Sequence, residues 1–142
     1  MKTVTLGSTG IKTPQNAFGA LPIQRTEPEE AVKILRRAYE GGMTFFDTAR
    51  AYSNSEEKIG LAFGDMWPKM RDKVYIATKT MARTPEDLKA HLEQSLELLK
   101  TDYIDIYQIH CVDRCYEPGD GTGMYEAMLE AKASGKIPET GR

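Results

Sequence analysis

The feature that most constrains how this chain folds is a fourfold alternation of short apolar runs and helical segments. Apolar runs begin near residues 17, 44, 74 and 103, and a stretch with apolar residues at helical spacing follows each of them. Such alternation is typical of α/β proteins, in which each helix carries the chain back so that the next strand pairs in parallel. No low-complexity linker interrupts the pattern. The sequence therefore predicts a single α/β domain over residues 1–142.

Local signals place the ends of the predicted helices. Pairs of residues typical of helix starts precede the first three helices, namely Thr26 with Glu29, Ser53 with Glu56, and Thr84 with Pro85. The pair Gly41-Gly42 ends the first helix, and the fourth is predicted to begin near Gly123. Ahead of the first strand, the segment KTVTLGSTGIKT alternates apolar and polar residues around a Gly-rich turn, which predicts a small hairpin.

Two parallel architectures fit this order of elements: an open doubly wound sheet and a (β/α)8 barrel of the TIM type. An open sheet that binds a dinucleotide carries G-x-G-x-x-G after its first strand. Here the corresponding turn reads FGALPIQRTEP and lacks that fingerprint. The barrel is the better prediction.

Composition excludes several classes of protein. The 142 residues carry a formal net charge of -2, and no basic block indicates a nucleic-acid surface. The apolar runs are too short to cross a bilayer, and the first residues, MKTVTLGSTG, lack the apolar core of a secretory signal. Two cysteines are too few for a secreted disulfide framework. We therefore expect a cytoplasmic protein that binds neither membranes nor nucleic acids.

Polar residues follow three of the predicted strands: Asp47, Lys79 and His110, with Tyr52 shortly after the first of them. Taken singly, each has an ordinary structural explanation, as a turn residue, a solvent-reaching lysine, a core histidine or a packing tyrosine. Together they are more informative, because the carboxyl ends of parallel strands meet on one face, where barrel active sites lie. A buried carboxylate needs a partner, and Lys79 is the natural one for Asp47.

These four groups form a coherent chemical set. An ammonium beside a phenol stabilises the phenolate, which makes the phenol a better proton donor near neutral pH. A carboxylate orients the ammonium, and an imidazole can donate a hydrogen bond to a carbonyl oxygen. Such a set suits addition of hydride to a C=O group. The hydride must come from a cofactor, because no side chain supplies one.

The motifs GMTFFDTARAYSNSEEKIG, KVYIATKT, LEQSLELLKTDYIDIYQIHCVD and LGSTGIKTPQNAFGA closely resemble the aldo/keto reductase family. The resemblance implies a (β/α)8 barrel whose N-terminal hairpin closes the floor, and NADPH-dependent reduction of aldehydes or ketones. It implies that Tyr52 is the general acid, that Lys79 assists it, that Asp47 holds Lys79 and that His110 orients the carbonyl. It also places Ala20 and Leu21, together with Asp47, near the nicotinamide or substrate. Preference for NADP over NAD rests on the family alone.

The chain departs from the family in length. A (β/α)8 barrel takes about 250 residues, whereas this sequence holds the hairpin and the first four βα units, with residues 138–142 as a tail outside the family pattern. Most family contacts to the cofactor lie in the other half, so we expect weak NADPH binding. The alternative function is a catalytically inactive, truncated half-barrel or a binding module on the same scaffold. Open strand edges also predict self-association or a partner chain that covers them.

The segment QIHCVDRCYEPGDGTGMYEAM is similar to the branch of the family that usually carries a C-terminal iron–sulfur extension. That extension is absent, so neither a cluster nor another metal is predicted. Cys111 and Cys115 with His110 fall short of the four ligands of tetrahedral zinc. A redox-responsive pair is possible, but ordinary loop cysteines are the favoured interpretation. Trp67 and Met81 could line a substrate pocket or simply pack.

Overall fold

The computed structural model describes residues 1–138. The strands are β1 (Thr3–Thr5), β2 (Lys12–Pro14), β3 (Phe18–Gly19), β4 (Phe45–Asp47), β5 (Tyr75–Thr80) and β6 (Ile106–Ile109). The helices are α1 (Pro28–Glu40), α2 (Ser55–Phe63), α3 (Trp67–Met70), α4 (Pro85–Leu99) and α5 (Met124–Ala133). Short 3₁₀ turns occupy Pro22–Arg25 and Arg71–Lys73. The predicted tail, residues 138–142, lies outside the described residues except for Pro138.

The strands form two sheets with the predicted arrangement. Strands β1 and β2 pair in antiparallel fashion, which confirms the predicted hairpin. Strands β3, β4, β5 and β6 form a parallel sheet in chain order, and a helix follows each of them. The order matches the first four units of a TIM-type barrel, so the predicted fold class is confirmed as a partial α/β barrel.

The main hydrophobic core lies between the parallel sheet and its helices. Adjacent strands place Phe18, Phe46 and Ile76 in register on the face toward the helices, and Phe46 and Ile76 are fully buried. Alternation along each strand then turns the neighbouring residue, Asp47 in β4, to the opposite face. Helices α2 and α4 approach so closely that a Cβ atom on Gly60 would lie 1.9 Å from the carbonyl oxygen of Leu98.

Two of the predicted helix starts are wrong, and a third is confirmed. Helix α1 begins after Glu27, because Pro28 holds the preceding residue in an extended conformation and Thr26 ends the 3₁₀ turn instead. Helix α2 begins after Asn54, and the side chain of Glu56 turns inward rather than back to Ser53. Helix α4 has the predicted cap, in which the Thr84 hydroxyl accepts from the backbone N–H of Asp87.

Helix α3 and the turn after it were not predicted, because four-residue elements are too short to show periodicity. Within the described part of the chain, none of the helices combines the length and apolar character needed to cross a bilayer.

Candidate active site

The four polar residues singled out from the sequence lie at the carboxyl ends of neighbouring strands. Asp47 is the last residue of β4, and Lys79 lies one residue before the end of β5. His110 directly follows β6, where its N–H donates to the carbonyl oxygen of Thr80 at 2.8 Å. Tyr52 lies in the loop between β4 and α2. Parallel pairing therefore brings residues far apart in sequence to one edge of the sheet.

The predicted ion pair between Asp47 and Lys79 is present. Lys79 Nζ lies 2.7 Å from Asp47 Oδ1 and donates a second hydrogen bond, also 2.7 Å long, to the carbonyl oxygen of Thr48. The Lys79 side chain is 15% exposed and that of Asp47 is 36% exposed. Because the ammonium is largely removed from water, these two oxygens offset much of its lost hydration.

Tyr52 lies between the lysine and the histidine. Lys79 Nζ is 5.2 Å from the centroid of the Tyr52 ring. The ring of His110 meets the Tyr52 ring edge to face, with centroids 5.8 Å apart and an interplanar angle of 79°. The structure thus brings Asp47, Lys79, Tyr52 and His110 together as a row in which each side chain neighbours the next. An ammonium, a phenol and an imidazole in contact can hold and move a proton, which is general acid–base chemistry.

The loop that carries Tyr52 is anchored by Glu56, which sequence reasoning treated as part of a helix cap. Its carboxylate is fully buried and accepts from the hydroxyls of Thr78 at 2.6 Å and Ser95 at 2.8 Å. It also forms an ion pair with Arg50, which lies two residues before Tyr52. One signal could have revealed it, since Glu56 lies three residues before Ile59 on the apolar stripe of α2.

Other residues of α2 hold the loop after β3. The Ser55 hydroxyl donates to the carbonyl oxygen of Ala20 at 2.9 Å and accepts from the Thr48 hydroxyl at the same distance. The Lys58 ammonium is buried and donates to two further carbonyl oxygens, those of Ile23 and Gln24. The first turn of α2 therefore ties together the loops that follow β3 and β4.

The remaining predicted contacts occupy different environments. The Ala20 side chain is fully buried, whereas Leu21 is 48% exposed just beyond the end of β3. Met81 is exposed beyond the end of β5. Trp67 is buried in the core and its indole N–H donates to the carbonyl oxygen of Leu99, so it packs rather than lining the strand-end face.

Both cysteines are exposed free thiols. Among residues 1–138, no group of three or more His, Cys, Asp or Glu side chains is arranged to hold a metal ion.

Tyr107 is a buried phenol in β6, behind the strand-end face. Its hydroxyl oxygen has no hydrogen-bond partner among the described residues. Burial raises the pKa of Tyr107 to about 12. The raised pKa makes the Tyr107 phenol a poorer proton donor than an ordinary tyrosine.

Comparison with known proteins gives consistent similarities. The sequence model of one protein family, described as the aldo/keto reductase family, matches residues 4–141. The aldo-keto reductase YhdN of Bacillus subtilis (strain 168) is 33% identical over 162 residues, covering 99% of this chain and 46% of that protein. The methylglyoxal reductase DkgB of Salmonella typhi is 34% identical over 130 residues, covering 88% of this chain and 46% of that protein.

A solved structure shows the same likeness. The aldo-keto reductase AKR11C1 from Bacillus halodurans, in its holo form, aligns with a TM-score of 0.79 at 29% identity. The alignment covers 96% of this chain and 48% of that one. The chain therefore spans about half the length of the curated relatives and of the solved structure that it matches.

Proposed function

This chain belongs to the aldo/keto reductase family, and from that premise we propose that its strand-end site reduces the carbonyl group of a small aldehyde or ketone to an alcohol. The observation that carries the proposal is the position of the Lys79 ammonium, bound to Asp47 at 2.7 Å and 5.2 Å from the centre of the Tyr52 ring. We propose NADPH as the cofactor.

In the proposed reaction Tyr52 is the general acid and gives its phenolic proton to the carbonyl oxygen. The ammonium of Lys79 stabilises the negative charge that develops on the phenol oxygen, and Asp47 holds the ammonium in place. His110 donates a hydrogen bond to the carbonyl oxygen and polarises it. Since Nδ1 of His110 is buried, we assign this role to Nε2. A bound nicotinamide supplies the hydride.

The strand-end face has an apolar surface and a hydrogen-bond acceptor that fit a nicotinamide ring. Leu21 presents an exposed apolar side chain next to the strand end, and Asp47 presents a partly exposed carboxylate. Apolar surface beside a few fixed polar groups is typical of cofactor sites. Ala20 has no exposed side chain and its carbonyl oxygen is bound to Ser55, so its place in the cofactor site stays a prediction from the family resemblance.

A similar protein indicates the size of substrate. DkgB is named a methylglyoxal reductase, and we propose for this chain a substrate of the same class, a small aldehyde or ketone.

Self-association across the open edges of β3 and β6 also remains a proposal, tested by sedimentation velocity over a range of protein concentrations. The absence of nucleic-acid and membrane partners, the cytoplasmic location and the likeness to the iron–sulfur branch stay predictions.

The test is consumption of NADPH with methylglyoxal and other small aldehydes, followed by absorbance at high protein concentration. We expect Tyr52→Phe to lower kcat/KM by a hundred-fold or more, which is roughly what a general acid contributes. The matched control is Tyr39→Phe in α1, which removes a hydroxyl from a ring that packs against Phe63. Equal rates for the wild-type chain and Tyr52→Phe would refute the proposal and favour the inactive half-barrel or binding module.

A further inference from the structure

One arginine outside the predicted site joins the two loops that follow β5 and β6. Arg83 is exposed, yet its guanidinium donates four hydrogen bonds to backbone carbonyl oxygens. Nη1 donates to Met81 at 3.1 Å and to Ala82 at 2.9 Å, within its own loop. Nη2 reaches across to His110 at 2.8 Å and to Cys111 at 3.1 Å. The planar, multidentate geometry of guanidinium suits this bridging, which a lysine ammonium would not reproduce.

The bridge begins where the backbone pairing of the two strands ends. The last register pair of β5 and β6 is Thr80 with Ile109, and the last backbone bond runs from the His110 N–H to Thr80. Beyond that point the side chain of Arg83 replaces the sheet ladder as the connection between the two chain segments. The backbone at His110 is therefore held on both sides, by Thr80 at its N–H and by Arg83 at its carbonyl.

The segment that Arg83 binds contains a residue with an unfavourable backbone conformation. Cys111 has a φ of 53°, in the left-handed region that residues with a Cβ rarely adopt. The carbonyl groups on either side of its Cα atom, those of His110 and Cys111, both accept from the same nitrogen of Arg83. Binding of both carbonyls offsets the unfavourable conformation and keeps the turn in place.

The imidazole of His110 depends on this turn for its direction. Its Nδ1 atom is buried and has no hydrogen-bond partner among the described residues. In many functional histidines a hydrogen bond at one ring nitrogen fixes the ring for the other. None of residues 1–138 supplies such a bond to Nδ1, so the ring direction follows the backbone and the edge-to-face contact with Tyr52.

We propose that Arg83 is a positioning residue, which fixes the backbone turn at His110 and Cys111 and thereby directs the imidazole of His110 toward Tyr52. The proposal deepens the reductase function and rests on it only for the consequence in catalysis. The placement of the ring is a separate property that can be measured without any turnover.

The experiment records the ring carbon–proton signals of histidine by NMR in the 142-residue chain. The chain has two histidines, and His91→Gln assigns the signal of His110. We expect Arg83→Met, which keeps the length of the side chain, to shift or split the His110 signal and leave that of His91 in place. The matched control is Arg37→Met, since Arg37 lies on the exposed surface of α1 with its side chain 82% exposed. An unshifted His110 signal in Arg83→Met overturns the proposal, whatever the activity.

A second variant tests the role of the left-handed turn. Glycine adopts this conformation without strain, so we expect Arg83→Met to shift the His110 signal less in a Cys111→Gly background. An equal shift in both backgrounds contradicts the proposed link between the guanidinium and the turn.

Activity separates this inference from the proposed function. We expect kcat/KM for carbonyl reduction to fall about ten-fold to a hundred-fold in Arg83→Met, as for a small misplacement of a reacting group, with partial recovery in Arg83→Lys. If Arg83→Met shifts the His110 signal but the wild-type chain reduces no carbonyl, the proposed function is refuted and the positioning role is supported. A shifted signal with unchanged kcat/KM in an active chain would overturn the catalytic consequence.

Discussion

The buried carboxylate of Glu56 gives the sharpest prediction about what holds the strand-end site together. Glu56 is fully buried, as are Thr78 and Ser95, whose hydroxyls both donate to its Oε1. Its other oxygen pairs with Arg50, whose side chain is 17% exposed. Glu56→Ala removes the acceptor and leaves two buried hydroxyls and a mostly buried guanidinium without it.

The magnitude follows from these partners. Breaking a buried ion pair by removing one member costs roughly 3–5 kcal/mol. Unsatisfied hydroxyls would add about 1 kcal/mol each, while the partial exposure of Arg50 and entry of water reduce the total. We expect Glu56→Ala to lower the free energy of unfolding by about 4 kcal/mol, a large share of the roughly 5–15 kcal/mol typical of a domain. Glu56→Gln keeps an acceptor for the hydroxyls, so we expect a loss of about 2 kcal/mol from the weakened bond to Arg50.

The assay is urea unfolding at neutral pH, followed by fluorescence of Trp67, the only tryptophan in the sequence and a buried one. The matched control is Glu57→Ala, the next residue, which is exposed on α2 and is expected to change stability by less than about 0.5 kcal/mol. A loss below about 1 kcal/mol in Glu56→Ala would refute the view that this carboxylate ties the Tyr52 loop to β5 and α4.

Two further predictions concern the core. The pKa of Tyr107 is raised to about 12, above the roughly 10 of an unfolded tyrosine, so the contribution of this group is complete below pH 10 and is lost as the pH rises toward 12. When the pH is raised from 9 to 11, the free energy of unfolding measured in urea should therefore fall by about 1 kcal/mol less in Tyr107→Phe than in the wild-type chain. An equal fall in the two chains would contradict this. Gly60→Ala would place a methyl group 1.9 Å from the Leu98 carbonyl oxygen, so we expect a loss of about 3 kcal/mol or more. The control is Gly19→Ala, where the added atom meets nothing within 4 Å. A similar urea unfolding midpoint for both variants would argue against a tight α2–α4 contact.

Much of the fold follows from local patterns. The four strand–helix units, the hairpin and the cap at Thr84 are all readable from spacing over a few residues, because apolar periodicity and capping are local properties. The placement of Asp47, Lys79 and His110 on one edge follows from parallel pairing alone. The predicted ion pair between Asp47 and Lys79 needed only the further principle that a buried charge requires a partner.

The missed features depend on contacts between distant parts of the chain. Glu56 has the spacing of a capping box with Ser53, but Thr78 and Ser95 provide buried donors that compete for its carboxylate. Arg83 reads as an ordinary exposed loop residue until β6 places the carbonyl group of His110 beside it. Neither contact can be predicted from the local sequence, because Thr78 and His110 lie more than 20 positions from Glu56 and Arg83, respectively.

The most direct test of the proposed reductase site traces the hydride and the proton donor together. NADPH deuterated at C4 of the nicotinamide is incubated with methylglyoxal and the chain, and the alcohol product is analysed by mass spectrometry. We predict deuterium on the former carbonyl carbon with the wild-type chain and at least about a hundred-fold less labelled product with Tyr52→Phe. Labelled product no greater than in a protein-free control, or equal amounts from the two chains, would contradict the assignment of Tyr52, Lys79, Asp47 and His110 as a carbonyl-reducing site.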